Sequence, residues 1–496
     1  MAKRQVVIMG QAKSVKPSEF HPAPGAVISV DFETFYASGY SVDELGTWAY
    51  CHDPRFAAWA VAVYDGVSSC VCKPADFPWG RIGGLDWVSH NRDFDMGVYW
   101  RLNMQLGLFQ ACAPAAWHCS AAACAFLQYP RDLAGACREV LGREVDKSVR
   151  KSSRNVRGAD AARGQGTLFE MDLCDDESAY AASDAVNCWD LWSAVGPQWP
   201  AHERRLFEMT SAMGQHGLFV DRATVKEKAV ELTARREELA AGLPWKPALS
   251  APKFDEACLG MGLTPPKSKA AGDENYMAWA EEHEGTLPAK WAADMAKIRR
   301  CGRLAKVLCA MDSRGKPDGR MAYDLKYFGT APGGWAGGGG LNVQNFNRKE
   351  AAGVDIRKCI MAPPGHVLAV ADYSQIQARI LLHLAGDNVS LQFLVDHPDM
   401  DLYEVHARAT MGWRPDREGE SLDACCERTG AVTRQLAKAR TLGLGFQCAA
   451  ETFIGTARRM AGLKLGITDA RKIVREYRES NPKIVHLWKR LEADAA

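Results

Sequence analysis

Val367-Leu368-Ala369-Val370-Ala371-Asp372-Tyr373-Ser374-Gln375-Ile376-Gln377-Ala378-Arg379-Ile380 decides how the chain is read. Val367–Ala371 is a run of small and branched apolar residues, the composition of a fully buried strand. It ends on Asp372, after which Ile376, Arg379, Ile380, His383 and Leu384 recur at helical spacing. A carboxylate closing a buried strand is costly to place unless it meets something positive. Metal-held phosphate chemistry is the usual reason for one.

Asp372-Tyr373-Ser374-Gln375-Ile376-Gln377-Ala378-Arg379 resembles the first catalytic palm motif of family A DNA polymerases, the group of bacterial DNA polymerase I and many bacteriophage replicases. The familiar pattern is Asp-Tyr-Ser-Gln-Ile-Glu-x-Arg, with Gln377 as the departure. The resemblance implies a right-handed thumb, palm and fingers polymerase acting on a DNA primer-template with dNTPs. Asp372 would be its metal-binding catalytic carboxylate. Further along, Arg434, Lys438, Leu442 and Phe446 fall every four residues, one face of a helix. Alone, this is an ordinary cationic stripe. It also resembles the family's Arg-x-x-x-Lys fingers helix, which implies triphosphate on Arg434 and Lys438 and base against Leu442 and Phe446.

Two departures are paired. The family carries Glu at Gln377 and Tyr at Phe446, and that Glu packs under the sugar while bonding to the Tyr. With Phe446 offering no hydroxyl, Gln377 keeps the bulk without the charge, so discrimination against ribonucleotides is expected to rest on size. The family's last palm motif, His-Asp-Glu or similar, is not found after Phe446. The expectation is a polymerase part truncated before that motif, lacking half its anionic clamp. It would polymerise negligibly by itself and recover with a complementary carboxyl-terminal polymerase fragment.

Upstream, Leu341-Asn342-Val343-Gln344-Asn345-Phe346 resembles the family's Asn-Leu-Gln-Asn segment, which implies primer and template contacts for Gln344 and Asn345. Arg357 matches a basic DNA-contacting residue of the family. Gly334 stands where the family's Thr-Gly-Arg-x-Ser element is basic, and the run Gly329–Gly340 is expected to be mobile. Lys297–Met311 reads as a basic helix, either a solvated face or, by resemblance, the thumb. Residues 244–290 show no clean period and read as a small helical insertion.

In the first third, Ala26–Val30 reads as a strand followed by Asp31-Phe32-Glu33, whose two carboxylates share one face. A lone Asp-x-Glu is most often a polar strand end. Here Asn91-Arg92-Asp93-Phe94-Asp95 and then Tyr180-Ala181-Ala182-Ser183-Asp184 come after it, the latter pairing phenol and carboxylate at i, i+4. The ordered triple resembles the 3′–5′ proofreading exonucleases of ribonuclease H-like fold. That resemblance implies that Asp31, Glu33, Asp95 and Asp184 hold two Mg²⁺ ions, or Mn²⁺, about 3.5–4 Å apart. Tyr180 would orient the attacking water at a single-stranded DNA 3′ end. His118 reads as a packing histidine, and Arg143–Gly166, rich in Lys and Arg, as a solvated loop.

A chain of 496 residues has room for two or three cores. A formal net charge of +1 means that any basic surface is local. Sixteen cysteines without zinc spacing read as reduced thiols of a cytoplasmic protein, and no long apolar segment suggests a membrane. The fold class expected is α/β plus mainly α. The boundaries are a leader over 1–25, an exonuclease domain over 26–196, thumb and start of palm over 197–345, palm over 346–390 and incomplete fingers over 391–496. Two alternatives stay open: a working 3′–5′ exonuclease only, and a non-catalytic DNA-binding remnant of a split polymerase.

Overall fold

Val27–Thr34 (β2) is buried at Ile28, Ser29, Val30 and Phe32, residues of both its faces. Ile28, Val30 and Phe32 point into one apolar core with Trp79, Trp87 and Tyr99, while Ser29, Asp31 and Glu33 take the other face. The computed structural model describes residues 12–105, 107, 112–145, 175–270, 273–347 and 350–495. Among them β2 is central in a six-stranded sheet with Lys13–Ser14 (β1), Ala58–Tyr64 (β3), Ser68–Cys72 (β4), Asp86–Ser89 (β5) and Trp117–Cys119 (β6). The order is β1-β4-β3-β2-β5-β6. β2, β3 and β4 run antiparallel, whereas β5 and β6 continue parallel to β2.

Val42–His52 (α1) and Arg92–Trp100 (α2) pack beside this sheet. Asp175–Val195 (α3) lies across the opposite face of β2, β3 and β4. Its buried stripe Ala181, Ala185, Cys188, Trp192 and Val195 follows the helical period, and small residues at its start allow close approach to the strands. Ala201–His216 (α4), Arg222–Ala241 (α5) and Leu287–Ser313 (α6) come next. α5 and α6 lie side by side over Val225, Leu232, Leu304 and Leu308. The insertion expected within 244–290 is helical, with its own core of Trp245, Phe254, Trp279 and Met295.

The chain divides into two compact units after Leu368. The second is helical, and its described elements include Ile376–Leu384 (α7), Leu402–Thr410 (α8), Thr433–Ala439 (α9), Ala450–Ala461 (α10), Ile467–Ser480 (α11) and Pro482–Ala495 (α12). Phe453, Val474, Tyr477, Ile484 and Trp488 form its main core. The architecture is mixed α/β and mostly helical, as the sequence predicts at that level. No helix among the described residues is long and apolar enough to cross a membrane.

Three expectations are corrected. The leader is tied in from Lys13, which begins a strand parallel to β4, and Phe20 is fully buried; its core contacts carry no periodic signal. The Gly329–Gly340 run is packed. A Cβ on Gly339 would lie 2.4 Å from Gly46 Cα, and one on Gly340 would lie 2.6 Å from the Glu44 carbonyl oxygen. Glycine there permits backbone approach rather than motion. Finally, Val367–Ala371 is not a buried strand: Val367 is 89% and Val370 92% exposed. A strand exists only where a neighbour completes its hydrogen bonds, and among the described residues none pairs with this one.

The second unit carries one built-in acid sensitivity. His406 on α8 lies against Tyr477, with ring centroids 5.6 Å apart. Burial, with the Arg440 cation nearby, pushes its pKa down to about 3. The unfolded imidazole titrates near 6.5, so the unfolded chain takes up the proton first. Stability from this group is intact above that value and is lost as pH falls toward 3. In urea melts between pH 7 and pH 4, the unit is expected to weaken by up to about 1.4 kcal/mol per pH unit from this histidine. His406→Gln should flatten that slope; an unchanged slope would refute the assignment.

Candidate active site

The period-two geometry of β2 brings Asp31 and Glu33 to one face, and α3 crosses that face carrying Asp184. Carboxylate oxygens of Asp31, Glu33 and Asp184 all lie within 4.8 Å of one another. The register of β2 against β3 shifts between Glu33 and Thr34, an irregularity at the end of the acidic pair. Asp95, on α2, is 2% exposed and accepts the Phe32 backbone N–H at 3.1 Å. Burial raises its pKa well above the usual carboxylate range, and the Glu33 charge adds to that, opposed by the Phe32 N–H and the Ser89 hydroxyl. Asp95 thus stands beside the three clustered acids without joining their 4.8 Å group.

Tyr180 is half-buried one helical turn before Asp184. His118 stacks on Trp192 with centroids 4.5 Å apart, and burial lowers its pKa; it packs, as the sequence predicts. Most of the basic loop expected over Arg143–Gly166 lies outside the described residues. Arg143 itself pairs with Asp190 at 2.8 Å and donates to Asn187 at 2.6 Å.

Gln344 and Asn345 are exposed on a short 3-10 turn, and Arg357 Nε donates to the Phe346 carbonyl at 3.3 Å. These three residues therefore share one surface. In the second unit Asp372 and Gln377 are exposed. Gln375 starts α7 with a left-handed φ of 51°, unusual for a non-glycine residue, and its side chain accepts the Leu402 N–H at 3.1 Å. Among the described residues Asp372 joins no carboxylate cluster.

The predicted face Arg434–Lys438–Leu442–Phe446 begins on α9 but does not stay straight. Residues 440–444 form a π-turn, whose wider pitch displaces the residues after it. Leu442 packs with Tyr403 and Ala407, and Phe446 is 60% exposed. Arg434 is held at 3.0 Å by Asp401 and 3.1 Å by Asp423, while Lys438 has no ion pair among the described residues. Sequence reading missed a buried polar joint in the first unit. Arg314, 1% exposed, donates to the carbonyls of Ala310, Glu44 and Gly339, and Asp324 accepts the Thr47 N–H at 3.1 Å. No local pattern marks either residue, because Glu44, Gly339 and Thr47 lie far from them in sequence.

The whole is a mixed α/β, mostly helical architecture similar to a DNA polymerase I polymerase domain. The likeness is to the POL domain of Pol1 from M. smegmatis, with a TM-score of 0.58 at 16% identity over 95% of this chain and 76% of that one. Residues 312–496 match the model of DNA polymerase family A. The DNA polymerase of Bacillus phage SP02 is 24% identical over 94% of this chain and 76% of its own length. DNA polymerase I of Rhizobium leguminosarum is 27% identical over 250 residues, 47% of this chain. The chain spans 24% of that relative and 15% of the thermostable DNA polymerase I of Thermus thermophilus.

Proposed function

We propose that this protein is a replicative, DNA-directed DNA polymerase of family A whose first unit carries a working 3′–5′ exonuclease of ribonuclease H-like fold. The observation that carries the nuclease reading is the convergence of Asp31, Glu33 and Asp184 within 4.8 Å. A sheet with three antiparallel strands continued by two parallel ones, centred on the strand that bears the acids, supports the fold assignment.

Hard carboxylate oxygens are the donor set that Mg²⁺ or Mn²⁺ takes, and three like charges this close need a cation to coexist ionised. Asp31, Glu33, Asp184 and the adjacent Asp95 would hold the metal. When bound, it would supply an activated water and stabilise the leaving 3′ oxygen. Tyr180 would orient the water. Mg²⁺ is accordingly expected to raise the unfolding temperature of the first unit, stabilising it by about 2.7 kcal/mol at a hundredfold excess over its dissociation constant. The double variant Asp31→Ala, Glu33→Ala should not respond; an equal shift in that variant would place the ion elsewhere. Release of nucleotides from the 3′ end of single-stranded DNA tests the activity itself.

In the polymerase part, Lys438 and Arg434 would take the triphosphate, with Asp401 and Asp423 yielding Arg434 to it. Leu442 and Phe446 would meet the base, Gln377 the sugar, and Gln344, Asn345 and Arg357 the primer-template. Asp372 would supply one metal ligand. The bare apolar row at Val367 and Val370 would be completed by a segment that pairs with it as a strand. Incorporation of dNTP and rNTP by the polymerase, with Gln377→Ala as control, tests sugar selection by size. Equal use by the unmutated enzyme would overturn it. A cytoplasmic setting accords with this reading.

A further inference from the structure

Helix α2 begins without a side-chain cap. Asn91, its N-cap residue, makes no side-chain hydrogen bond to the first turn, although that turn carries Asp95 of the candidate nuclease site. A first turn without a cap has unsatisfied N–H groups and is held less firmly than the rest of its helix. Asp95 nevertheless sits fully inside, against the Phe32 N–H at 3.1 Å. Contacts from outside the turn therefore hold it.

Those contacts come from α4. Asp93 and Asp95 are two residues apart, about 200° around a helix, and so face opposite ways. Asp95 meets β2, whereas Asp93 accepts the Ser211 hydroxyl of α4 at 2.7 Å. The same Asp93 oxygen accepts two bonds from Arg92, at 3.0 and 2.7 Å. The Arg92 guanidinium lies 4.2 Å from the ring centre of Phe207, also on α4, and donates to the Trp117 carbonyl at 3.4 Å. Arg92 and Ser211 are both buried, so a lost contact is not replaced by bulk water. α4 is itself fixed from further along the chain. The Tyr323 N–H donates to the Gly214 carbonyl at 3.1 Å, and Trp335 Nε1 to the Thr210 hydroxyl at 2.9 Å.

We propose that Ser211 and Phe207 are positioning residues for Asp95: acting through Asp93 and Arg92, they fix the first turn of α2 and so complete the nuclease site from a helix beyond residue 196. The consequence for catalysis rests on the nuclease reading, in which Asp95 is a metal ligand. The placement of Asp95 does not.

Amide exchange of the full chain in EDTA, read by selective ¹⁵N labelling of phenylalanine and valine, tests the placement without metal or substrate. Ser211→Ala should speed exchange at Phe32 by about tenfold, the worth of one loosened buried hydrogen bond, while Val61 and Val63 on β3 exchange as before. Ser211→Thr keeps the hydroxyl and should restore the wild-type rate. Phe207→Leu removes the ring beneath Arg92 and should act as Ser211→Ala does. In trimming of single-stranded DNA, Ser211→Ala should raise the Mg²⁺ concentration for half-maximal rate by about tenfold, with a smaller effect at saturating Mg²⁺. An unchanged Phe32 rate in both Ser211→Ala and Phe207→Leu would overturn the proposal, whether or not the wild type trims DNA. A rise shared equally by Phe32, Val61 and Val63 would overturn it too, since that marks general loosening. So would an unchanged Mg²⁺ requirement in Ser211→Ala when the wild type trims. A wild type that does not trim, with Phe32 responding as expected, defeats the nuclease reading and upholds the placement.

Discussion

Replacing Asp31 and Glu33 together by alanine is expected to slow Mg²⁺-dependent trimming of a 5′-labelled single strand by about a thousandfold or more, the loss of several kcal/mol of metal-supplied stabilisation. The two residues leave β2 side by side toward Asp184 on α3, so their removal takes away two of the three clustered carboxylates. The fold should survive, because neither side chain belongs to the apolar core of Ile28, Val30 and Phe32. Relieving acid crowding also removes a cost from the metal-free protein. Denaturing gels that resolve single-nucleotide steps from the 3′ end would give the rate. Trimming by the double variant at the wild-type rate would end the nuclease reading, whatever the polymerase part does.

The second large effect concerns the backbone. Gly339→Val should destabilise the first unit by about 3 kcal/mol or more, as overpacking of one backbone against another does when neither can yield. Gly339 has φ of +57°, and an added Cβ would lie 2.4 Å from Gly46 Cα and 2.5 Å from Asp324 Oδ2. The Gly339 carbonyl also accepts from buried Arg314, so displacing it removes a partner from a guanidinium that is 1% exposed. Gly353→Val is the control: its φ of +84° carries conformational strain, but nothing lies within 4 Å of the added Cβ. Urea unfolding followed by tryptophan fluorescence should show a much lower midpoint for the Gly339 variant than for the control. Equal midpoints would mean that the close approach of residues 43–46 to 337–340 contributes nothing to stability.

Much of the candidate nuclease site was legible in the sequence. Asp31 and Glu33 had to share a face because a strand repeats every two residues. Tyr180 and Asp184 had to share one because a helix returns after four. What spacing could not supply was the crossing of α3 over β2, which turns two local patterns into one group of acids. The face drawn from Arg434 to Phe446 shows the opposite case. Its first half follows the α-helical period, and a π-turn over residues 440–444 then carries Leu442 into the core beside Tyr403.

By itself the sequence marked the candidate side chains and, wherever one element held them, which way they face. Local periodicity is enough for that. Tertiary structure decided the rest. It made an apparent hinge of glycines into a tight backbone contact, and it left Val367 and Val370 exposed rather than inside a sheet. The reason is the same in both cases: a close approach and a strand each depend on a second segment, and a run of residues does not carry its neighbour's position.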